Sequence, residues 1–395
     1  MDANASEIYV KETIRIHCWN KYLAKTSNAI LKIFTSKKIR VDKKKIIQVI
    51  INFNTLLIGI SYLPDTVFFP NQDIVQDYQS ILFDELGYHA KDESILDKGR
   101  ILTIIIDNLD EAKRDFTNQV KSIKEYPSIV VTVENDRKNK DNVRVITGPE
   151  KYRSTRIIAR KYLDRLNRMF VGEKKDDSNL WIAILLLRYT YYTFLKTGIC
   201  FSVADIYRII KKYSLDDKSL EAFAGSLNSN LKNYCSLFFD IEKYFGSKGS
   251  FLTLRADCKY EIIIANPPYV ESIIEKASNN LIEFMDRCDG DKLIIFTIPD
   301  WRSETEFLAD VEVELDYSKK KTSRSSKPYV GYDVMRQSKY FQKVYHLGKY
   351  KYHNFFDNVD MAIGPDTLIL LLCKETDNKN FLLFQSNLNK LFDNI

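Results

Sequence analysis

The residues best suited to chemistry form one tetrad, Asn266-Pro267-Pro268-Tyr269, directly behind three isoleucines at 262–264. A run of β-branched apolar residues predicts a strand in the core of a sheet. The two prolines end that strand abruptly, because neither has an N–H group to donate to a sheet ladder. The tetrad is therefore expected at the carboxyl end of a core strand, where open α/β sheets bind their ligands.

The tetrad suits methyl transfer to an exocyclic amine, which is a poor nucleophile because its lone pair is delocalised into the ring. The side-chain oxygen of Asn266 and the carbonyl oxygen of Pro267 can both accept hydrogen bonds from the amine, which draws the lone pair toward an incoming methyl group. Tyr269 can stack on the base. Asn-Pro-Pro-Tyr resembles the signature of amino-methyltransferases that use S-adenosylmethionine, so Asn266, Pro267, Pro268 and Tyr269 are the candidate catalytic residues. The alternative is a strand that simply ends in a proline turn.

A stretch of small residues upstream of the tetrad is the candidate cofactor loop. Residues 220–228 are predicted to run from a short strand through a turn into a helix from Ser229 to about Phe239. Small residues let a backbone approach a ligand closely, and N–H groups at a helix start face its polar parts. The expected cofactor contacts are Phe223, Ala224, Gly225, Ser226, Asn228 and Asn266. A second loop at 244–249 offers Phe245, Gly246 and Ser247 to the adenosine half of the cofactor, or is merely a helix stop with glycine at its end.

Several cations and one tryptophan are the candidate RNA contacts. Residues 151–168 are predicted to form a basic helix, on which Arg153, Arg156 and Arg160 fit phosphate binding as well as they fit a plain solvated face. The strand predicted at 292–298 ends in Pro299-Asp300-Trp301-Arg302. Trp301 and Arg302 can stack on and clamp a base or phosphate, unless the tryptophan only closes the core. Residues 316–338 are predicted to be a basic loop able to follow an RNA backbone.

The composition limits the class of protein. The 395 residues allow two or three domains, 45% of them are hydrophobic, and the formal net charge of +6 mildly favours an anionic partner. The six cysteines form no CxxC pair and do not cluster with the four histidines, so we expect no metal site and no disulfide framework. The chain begins without an apolar signal region, and charges break its longest apolar run. We therefore expect an intracellular protein of the nucleus or cytoplasm with no membrane span.

The order of predicted elements indicates an α/β fold in three parts. Residues 1–125 are predicted to be an N-terminal α-helical domain, and residues 126–215 a hairpin with basic helices that pack on the catalytic domain. Residues 216–395 are predicted to be the Rossmann-like methyltransferase domain. There, a helix from Glu271 to Arg287 joins the tetrad strand to the strand at 292–298, and strands at 340–352 and 366–374 close the sheet.

These motifs in this order resemble the phosphorylated-CTD-interacting-factor family, the cap-specific adenosine N6-methyltransferases, over about residues 180–375. The segments that carry the resemblance are Leu187-Arg188-Tyr189, Glu221–Asn228, Tyr234-Cys235-Ser236, Asp240, Tyr244–Gly249, Ala265–Tyr269 and Ile298–Arg302. The resemblance implies S-adenosylmethionine as the cofactor, with Asp240 among its contacts, and capped mRNA as the substrate, with Arg188 among its contacts. The implied reaction places a methyl group on N6 of a 2′-O-methylated adenosine next to the 7-methylguanosine cap.

The resemblance has one departure that concerns partners. Animal members of the family carry an N-terminal WW module that binds the polymerase tail. The three tryptophans of this chain, at 19, 181 and 301, do not have WW spacing. We therefore expect no WW module, which makes binding to the polymerase tail doubtful.

Two other functions remain open at this point. The tetrad alone also permits an adenine N6-methyltransferase that acts on DNA or on internal RNA sites, although no target-recognition domain is evident. A catalytically inactive RNA-binding homologue could keep the fold, although the tetrad and the cofactor loop are both intact.

Overall fold

The computed structural model describes residues 4–61, 69–90, 96–192, 199–200, 204–302, 329–348, 351–354, 359–362, 366–374 and 379–393. The chain divides into two compact units. The first unit contains Met1–Gly198 together with Asp240–Phe245, and the second contains Ile199–Phe239 together with Gly246–Ile395. The architecture is mixed α/β, as predicted.

Long amphipathic helices build the amino-terminal part of the first unit. They are α1 (Ala5–Ser36), α2 (Lys43–Ser61), α3 (Gln72–Asp77), α4 (Gln79–Ala90) and α5 (Lys98–Lys121). The side chain of Asn4 caps α1 and that of Asp97 caps α5, each by accepting a backbone N–H in the first turn. The α1 helix packs against α2 and α5 and buries Tyr9, Trp19 and Phe34. The predicted helical character of residues 8–125 is confirmed for the part that the structure describes.

A three-stranded antiparallel sheet follows, and it corrects one prediction. Strands β1 (Val130–Asn135) and β2 (Asn142–Gly148) form the expected hairpin, and β3 (Ser154–Ala159) pairs with β2. The prediction of one basic helix over 151–168 is wrong, because only α6 (Arg160–Met169) is helical. The β-branched residues Thr155, Ile157 and Ile158 favour a strand, and β2 at the open edge of the hairpin is available to pair with it.

A buried ion cluster ties together segments of the first unit that are distant in sequence. In α7 (Ser178–Tyr192), Arg188 is completely buried and donates to both carboxylate oxygens of Glu12 and of Asp240, over 2.7–3.0 Å. Asp240 begins a segment that we call the strap, Asp240–Phe245, which includes most of the short helix α9 (Phe239–Glu242). Burial would raise the pKa of Asp240, but the charge of Arg188 holds it below its ordinary value.

Further contacts hold the strap along its length. The hydroxyl of Tyr189 donates to Glu242 over 2.9 Å, and both side chains are buried. The ring of Tyr244 stacks on Trp181 with centroids 3.8 Å apart, and Phe245 meets Phe170 edge to face. The strap is therefore an integral part of the first unit, although most of its sequence neighbours belong to the second.

A five-stranded mixed sheet organises the second unit. Its strands are β5 (Ser219–Glu221), β6 (Ile262–Ala265), β7 (Leu293–Pro299), β8 (Phe341–Gly348) and β11 (Thr367–Cys373). The strand order is β5-β6-β7-β11-β8, in which the first three strands are parallel and β11 is antiparallel to both of its neighbours. The predicted strands at 262–264, 292–298, 340–352 and 366–374 are thus confirmed over these bounds.

Helices cover the sheet. They are α8 (Ala204–Lys212), α10 (Glu271–Arg287), α11 (Val330–Arg336) and α12 (Lys379–Asp393). Ile206 of α8 and Phe384 of α12 share one core cluster with Ile264, Ile295 and Ile369 of the sheet. A small sheet of β4 (Ile199–Cys200), β9 (Lys351–Asn354) and β10 (Val359–Ala362) completes the described part of this unit.

Several local predictions in the second unit are wrong. Residues 229–238 are not helical. Asn and Ser dominate 228–233 and favour turns over helix, because their side chains compete for backbone hydrogen bonds. Part of the basic loop predicted at 316–338 is the helix α11, whereas 316–328 lie outside the described residues.

The cysteine expectation also needs correction. Cys258, in the loop before β6, and Cys288, after α10, form a disulfide with their Cα atoms 5.2 Å apart. The sequence spacing of 30 residues gave no sign of this pair, which only the fold brings together. Within the part of the chain that the structure describes, no helix combines the length and apolarity needed to cross a membrane.

Arg188→Met should unfold the protein at a much lower denaturant concentration. Removing the guanidinium takes the bidentate partner from the buried carboxylate of Glu12, which keeps only Arg15, and from the partly exposed carboxylate of Asp240. Breaking a buried pair in this way typically costs about 3–5 kcal/mol. Urea unfolding followed by circular dichroism measures the change. Lys232→Gln is the control, because Lys232 pairs with Asp217 at the exposed surface and should barely move the midpoint. Equal midpoints for the two variants would contradict the importance of the cluster.

Candidate active site

Three loops meet at one edge of the five-stranded sheet. Because β5, β6 and β7 are parallel, their carboxyl ends lie side by side. The loop 222–228 follows β5, the tetrad follows β6, and Asp300-Trp301-Arg302 follow β7. The N–H of Ala222 still donates to the carbonyl of Ile264 over 2.8 Å, so the cofactor loop leaves the sheet directly beside the tetrad.

The tetrad presents one unusual atom. The side-chain Oδ1 of Asn266 is buried and accepts no hydrogen bond within the described residues. An unpaired buried acceptor typically costs about 1–3 kcal/mol, so it calls for an explanation. Pro267 is buried, Pro268 is exposed, and the ring of Tyr269 is partly exposed. An acceptor and an aromatic face therefore sit together, which suits a ligand with an N–H donor on a planar ring.

Backbone ladders bring the two predicted cofactor loops together. Ala224 donates to Cys235 over 2.9 Å and Cys235 to Glu221 over 2.8 Å, so residues 221–224 run beside 233–235. On the other side, Ser236 donates to Gly249 over 2.8 Å and Lys248 to Tyr234 over 2.9 Å. The extended segment 233–236, which we expected to be a helix, thus lies between the loop 222–228 and the loop 246–249.

The small side chains of these loops bond to the loops themselves. Asn228 accepts from the N–H of Gly225 and closes a tight turn, in which Ser229 also donates to Gly225 over 2.8 Å. The hydroxyl of buried Ser226 lies 2.9 Å from that of Tyr234. The hydroxyl of Ser247 lies 2.6 Å from that of Ser236. These side chains shape the loops, and their expected contacts with the cofactor remain predictions.

Gly246, Phe223, Phe245 and Asp240 complete the predicted cofactor set. Gly246 has a φ of +93°, a conformation that favours glycine, and Phe223 packs edge to face on Phe251. Phe245 and Asp240 belong to the strap, where Phe245 is buried and Asp240 is paired with Arg188. Their predicted contacts with a cofactor are not tested by this arrangement.

Sequence reasoning missed the role of Glu221. Its buried carboxylate accepts from the hydroxyl of Tyr207 over 3.0 Å and from the backbone N–H groups of Asn230 and Leu231 over 2.6 and 3.2 Å. These bonds replace the expected helix start and hold the far end of the cofactor loop. A glutamate at the last position of a short core strand is the signal that could have revealed this role.

An aromatic group surrounds Trp301. Its ring meets Tyr269 edge to face with centroids 6.2 Å apart and lies 5.8 Å from Tyr329. Tyr329 stacks on Tyr332, and both are buried. At Gly331 an added Cβ would lie 2.8 Å from the side chain of Ile274 and 2.9 Å from the backbone N of Glu275, so a glycine is needed for α11 to approach α10 this closely. The structure thus brings Trp301 to the tetrad, as the predicted base contact requires.

The predicted RNA-binding arginines fall into two groups. Arg188 and Arg302 are buried and held by carboxylates, so neither guanidinium is open to a phosphate in this structure. Arg153 and Arg160 are exposed, and Arg156 is partly exposed. Arg153 lies just before β3, Arg156 on β3 and Arg160 at the start of α6, all within the first unit.

The buried carboxylate of Asp300 organises the end of β7. It accepts from Nε and Nη2 of Arg302, both over 2.8 Å, and lies 3.3 Å from Nε2 of His346. Burial would raise the pKa of Asp300, but the hydrogen bonds and charges of Arg302 and His346 hold it well below its ordinary value. Among the described residues, no group of three or more His, Cys, Asp or Glu side chains is arranged to hold a metal ion.

Comparison with known proteins agrees with the motifs. Residues 165–333, which include the cofactor loops, the tetrad and Trp301, match the family model described as "Phosphorylated CTD interacting factor 1 WW domain". The resemblance to the phosphorylated-CTD-interacting-factor family is confirmed. Two curated relatives, from Homo sapiens and Mus musculus, are named "mRNA (2'-O-methyladenosine-N(6)-)-methyltransferase". Each is 33% identical over 85 residues, which are 21% of this chain and span 12% of the relative's length.

The expectation that this chain has no WW module is wrong. The matching family model carries the WW description, and it covers 169 residues rather than a short module. The tryptophan spacing failed as a criterion because it looked for a compact module, whereas Trp181 and Trp301 lie far apart within the matched segment. The doubt about the polymerase tail that rested on this expectation falls with it.

The stability contributed by Asp300 should depend on pH in a defined direction. Because the folded state lowers its pKa, the ionised carboxylate stabilises the protein above the unfolded pKa of about 3.9 and loses this effect as the pH falls through the folded value. Asp300→Asn should therefore lower the free energy of unfolding most above about pH 5 and less toward pH 3. Urea titrations across this range measure the difference. Asp289→Asn, at an exposed site, is the control, and a difference that does not change with pH would contradict the assignment.

Proposed function

We propose that this chain is an S-adenosylmethionine-dependent methyltransferase. Its proposed acceptor is N6 of the first transcribed adenosine, 2′-O-methylated, next to the 7-methylguanosine cap of mRNA. One observation carries the proposal most directly: the buried, unpaired Oδ1 of Asn266 lies in the same tetrad as the partly exposed Tyr269. The names of the curated relatives support N6 of a 2′-O-methyladenosine in mRNA as the acceptor.

The residues present fit the proposed cofactor. The loop 222–228 leaves β5 beside the tetrad, and the loop at 246–249 is bonded to it through 233–236. Small residues in these segments alternate with hydroxyl, amide and aromatic groups, which suits a nucleoside with polar and planar parts. The proposed contacts lie in the second unit and are Phe223, Ala224, Gly225, Ser226, Asn228, Gly246 and Ser247. S-adenosylmethionine, when bound, supplies a methyl group that is already strongly electrophilic.

The tetrad would orient and desolvate the acceptor amine. Asn266 Oδ1 and the carbonyl of Pro267 accept one hydrogen bond each from the amino group, which turns its lone pair out of conjugation. Tyr269 stacks on the adenine and Pro268 fixes the turn between them. Alignment of this kind is a large part of what an enzyme supplies to a two-substrate reaction. No dedicated general base is needed, because the proton leaves readily once the nitrogen is methylated.

We also propose how the chain is divided. The parallel strands β5, β6 and β7 with the antiparallel β11 support a Rossmann-like methyltransferase domain at 216–395. Residues 1–125 serve as an N-terminal helical domain, and residues 126–215 carry the basic strand and helix. Arg153, Arg156 and Arg160 there are the proposed contacts with RNA phosphates.

Capped RNA that starts with adenosine should be the preferred acceptor. The test is methyl transfer from labelled S-adenosylmethionine to one short RNA prepared with and without the 7-methylguanosine cap, and with A or G as the first nucleotide. Labelling should require both the cap and the first A. Duplex DNA and uncapped RNA of the same sequence are the controls. Labelling that ignores the cap would replace the proposal with an enzyme for internal sites or DNA, and binding of cofactor without any transfer would favour an inactive homologue.

Asn266→Ala should lower turnover by orders of magnitude while cofactor affinity changes little. The variant removes the acceptor that orients the amine, and a single preorganised group of this kind is typically worth about 10²–10³ in rate. Single-turnover methylation and titration calorimetry with the cofactor separate the two effects. Asn118→Ala, at an exposed position of α5, is the control and should behave as wild type. Near-normal turnover of Asn266→Ala would remove Asn266 from the mechanism.

A further inference from the structure

An ion pair folds the chain around Trp301. The carboxylate of Asp300 and the guanidinium of Arg302 form two parallel hydrogen bonds of 2.8 Å, and both residues are 2% exposed. Because the partners are only two positions apart, the pair encloses a single residue, Trp301. The N–H of Trp301 also donates to the carbonyl of Pro299 over 3.1 Å. A bidentate charged pair is rigid as well as strong, so the backbone at Trp301 has one fixed direction.

Arg302 also contacts the aromatic side chains on which Trp301 packs. The guanidinium carbon of Arg302 lies 5.6 Å from the centroid of Tyr332, which stacks on Tyr329. The hydroxyl of Tyr329 donates to the carbonyl of Pro299 over 3.0 Å, which ties the start of α11 to the end of β7. Trp301 packs on Tyr329, so its ring rests on a platform made of buried side chains.

We call the Asp300–Arg302 pair, together with the Trp301 that it encloses, the clamp. At its outer end Trp301 meets the tetrad. Trp301 and Tyr269 are both partly exposed and meet edge to face, whereas the side chains beneath Trp301 are buried. An edge-to-face contact fixes the tilt of each ring. The orientation of the Tyr269 face, on which the acceptor base is proposed to stack, therefore depends on where Trp301 is held.

We propose that Asp300 is a positioning residue: by clamping Arg302 it holds Trp301 against Tyr269 and thereby sets how well the acceptor base is bound. Asp300 touches neither the base nor the cofactor in this proposal, which rests on the proposed function. The groups that face its carboxylate are Arg302 from its own loop and His346 from β8, and Asp366 faces the same His346 at 3.5 Å.

Tryptophan fluorescence can test the clamp without any reaction. Of the three tryptophans, Trp19 and Trp181 are buried and Trp301 is partly exposed. Acrylamide quenching therefore reports mainly on Trp301, and Trp301→Phe defines the background. Asp300→Asn and Arg302→Lys should each increase the quenching of Trp301 about twofold or more, since both break the bidentate pair. Arg302→Lys keeps the positive charge and carries the test if Asp300→Asn does not fold.

Kinetics on capped RNA provide the second readout. Asp300→Asn and Arg302→Lys should each raise the KM for RNA about tenfold or lower kcat/KM by the same factor, because small displacements of a positioning group have effects of this size. The KM for the cofactor should stay within about twofold of the wild-type value. Asp366→Asn is the matched control, because it changes a carboxylate 3.5 Å from His346 while the backbone bond from Asp300 to the Asp366 carbonyl stays in place, and it should leave both readouts unchanged. A structural role alone would lower the melting temperature without moving these ratios.

The outcomes separate this proposal from the proposed function. Folded variants with wild-type quenching and a wild-type KM for RNA would overturn the positioning role alone. If the wild-type protein methylates none of the RNAs, the proposed function fails, and unchanged quenching in the variants would still overturn the clamp. Increased quenching together with a selective rise in the KM for RNA would establish it.

Discussion

The arrangement of the site depends on the way β6 ends. All four residues of β6 are buried, and parallel strands pair with it on both sides. The two ladders of β6 cannot continue past it, because Pro267 and Pro268 have no N–H to donate. The chain must leave the sheet at Asn266, and because parallel strands end at the same edge, the loops after β5 and β7 end beside it. The tetrad, the cofactor loop and the Trp301 loop therefore meet through backbone geometry, before any side-chain contact is considered.

The way these loops are held follows the rule that buried polar groups need partners. Glu221 at the end of β5 and Asp300 at the end of β7 are both buried carboxylates at the edge of the same sheet. Glu221 accepts hydrogen bonds from two backbone N–H groups and a tyrosine hydroxyl, and Asp300 accepts them from a guanidinium. Each would be costly if unpaired, so each fixes the loop that pairs with it. At the end of β6, by contrast, the buried Oδ1 of Asn266 has no hydrogen-bond partner within the described residues.

The sequence predicted the framework of this fold well and its contacts poorly. Runs such as Ile262–Ile264 and Leu293–Ile298 predict core strands correctly, because a strand buried on both faces reads as continuous apolar residues. The secondary structure of residues 151–168 was harder to predict, because the cations there obscure the strand pattern of Ile157 and Ile158. These two residues pair with β2, which is a strand of the preceding hairpin. The helix expected at 229–239 failed for a related reason: residues 233–235 pair with 221–224, a long-range choice that local propensity does not contain. The Cys258–Cys288 pair likewise depends on how α10 returns to the start of β6.

The motif arginines show why residue type alone does not give a role. Arg302 was predicted to bind RNA because a cation suits a phosphate, and Arg188 because the family resemblance implied it. Each lies where water is excluded, however, and a buried guanidinium must be paired. Arg188 forms ion pairs with Glu12 and Asp240, and Arg302 forms one with Asp300. A motif residue can thus serve the reaction by fixing a loop, whereas direct contact with a polyanion requires a side chain that solvent can reach. By that criterion Arg153, just before β3, and Arg160, at the start of α6, are better placed to meet an RNA backbone, since both remain exposed.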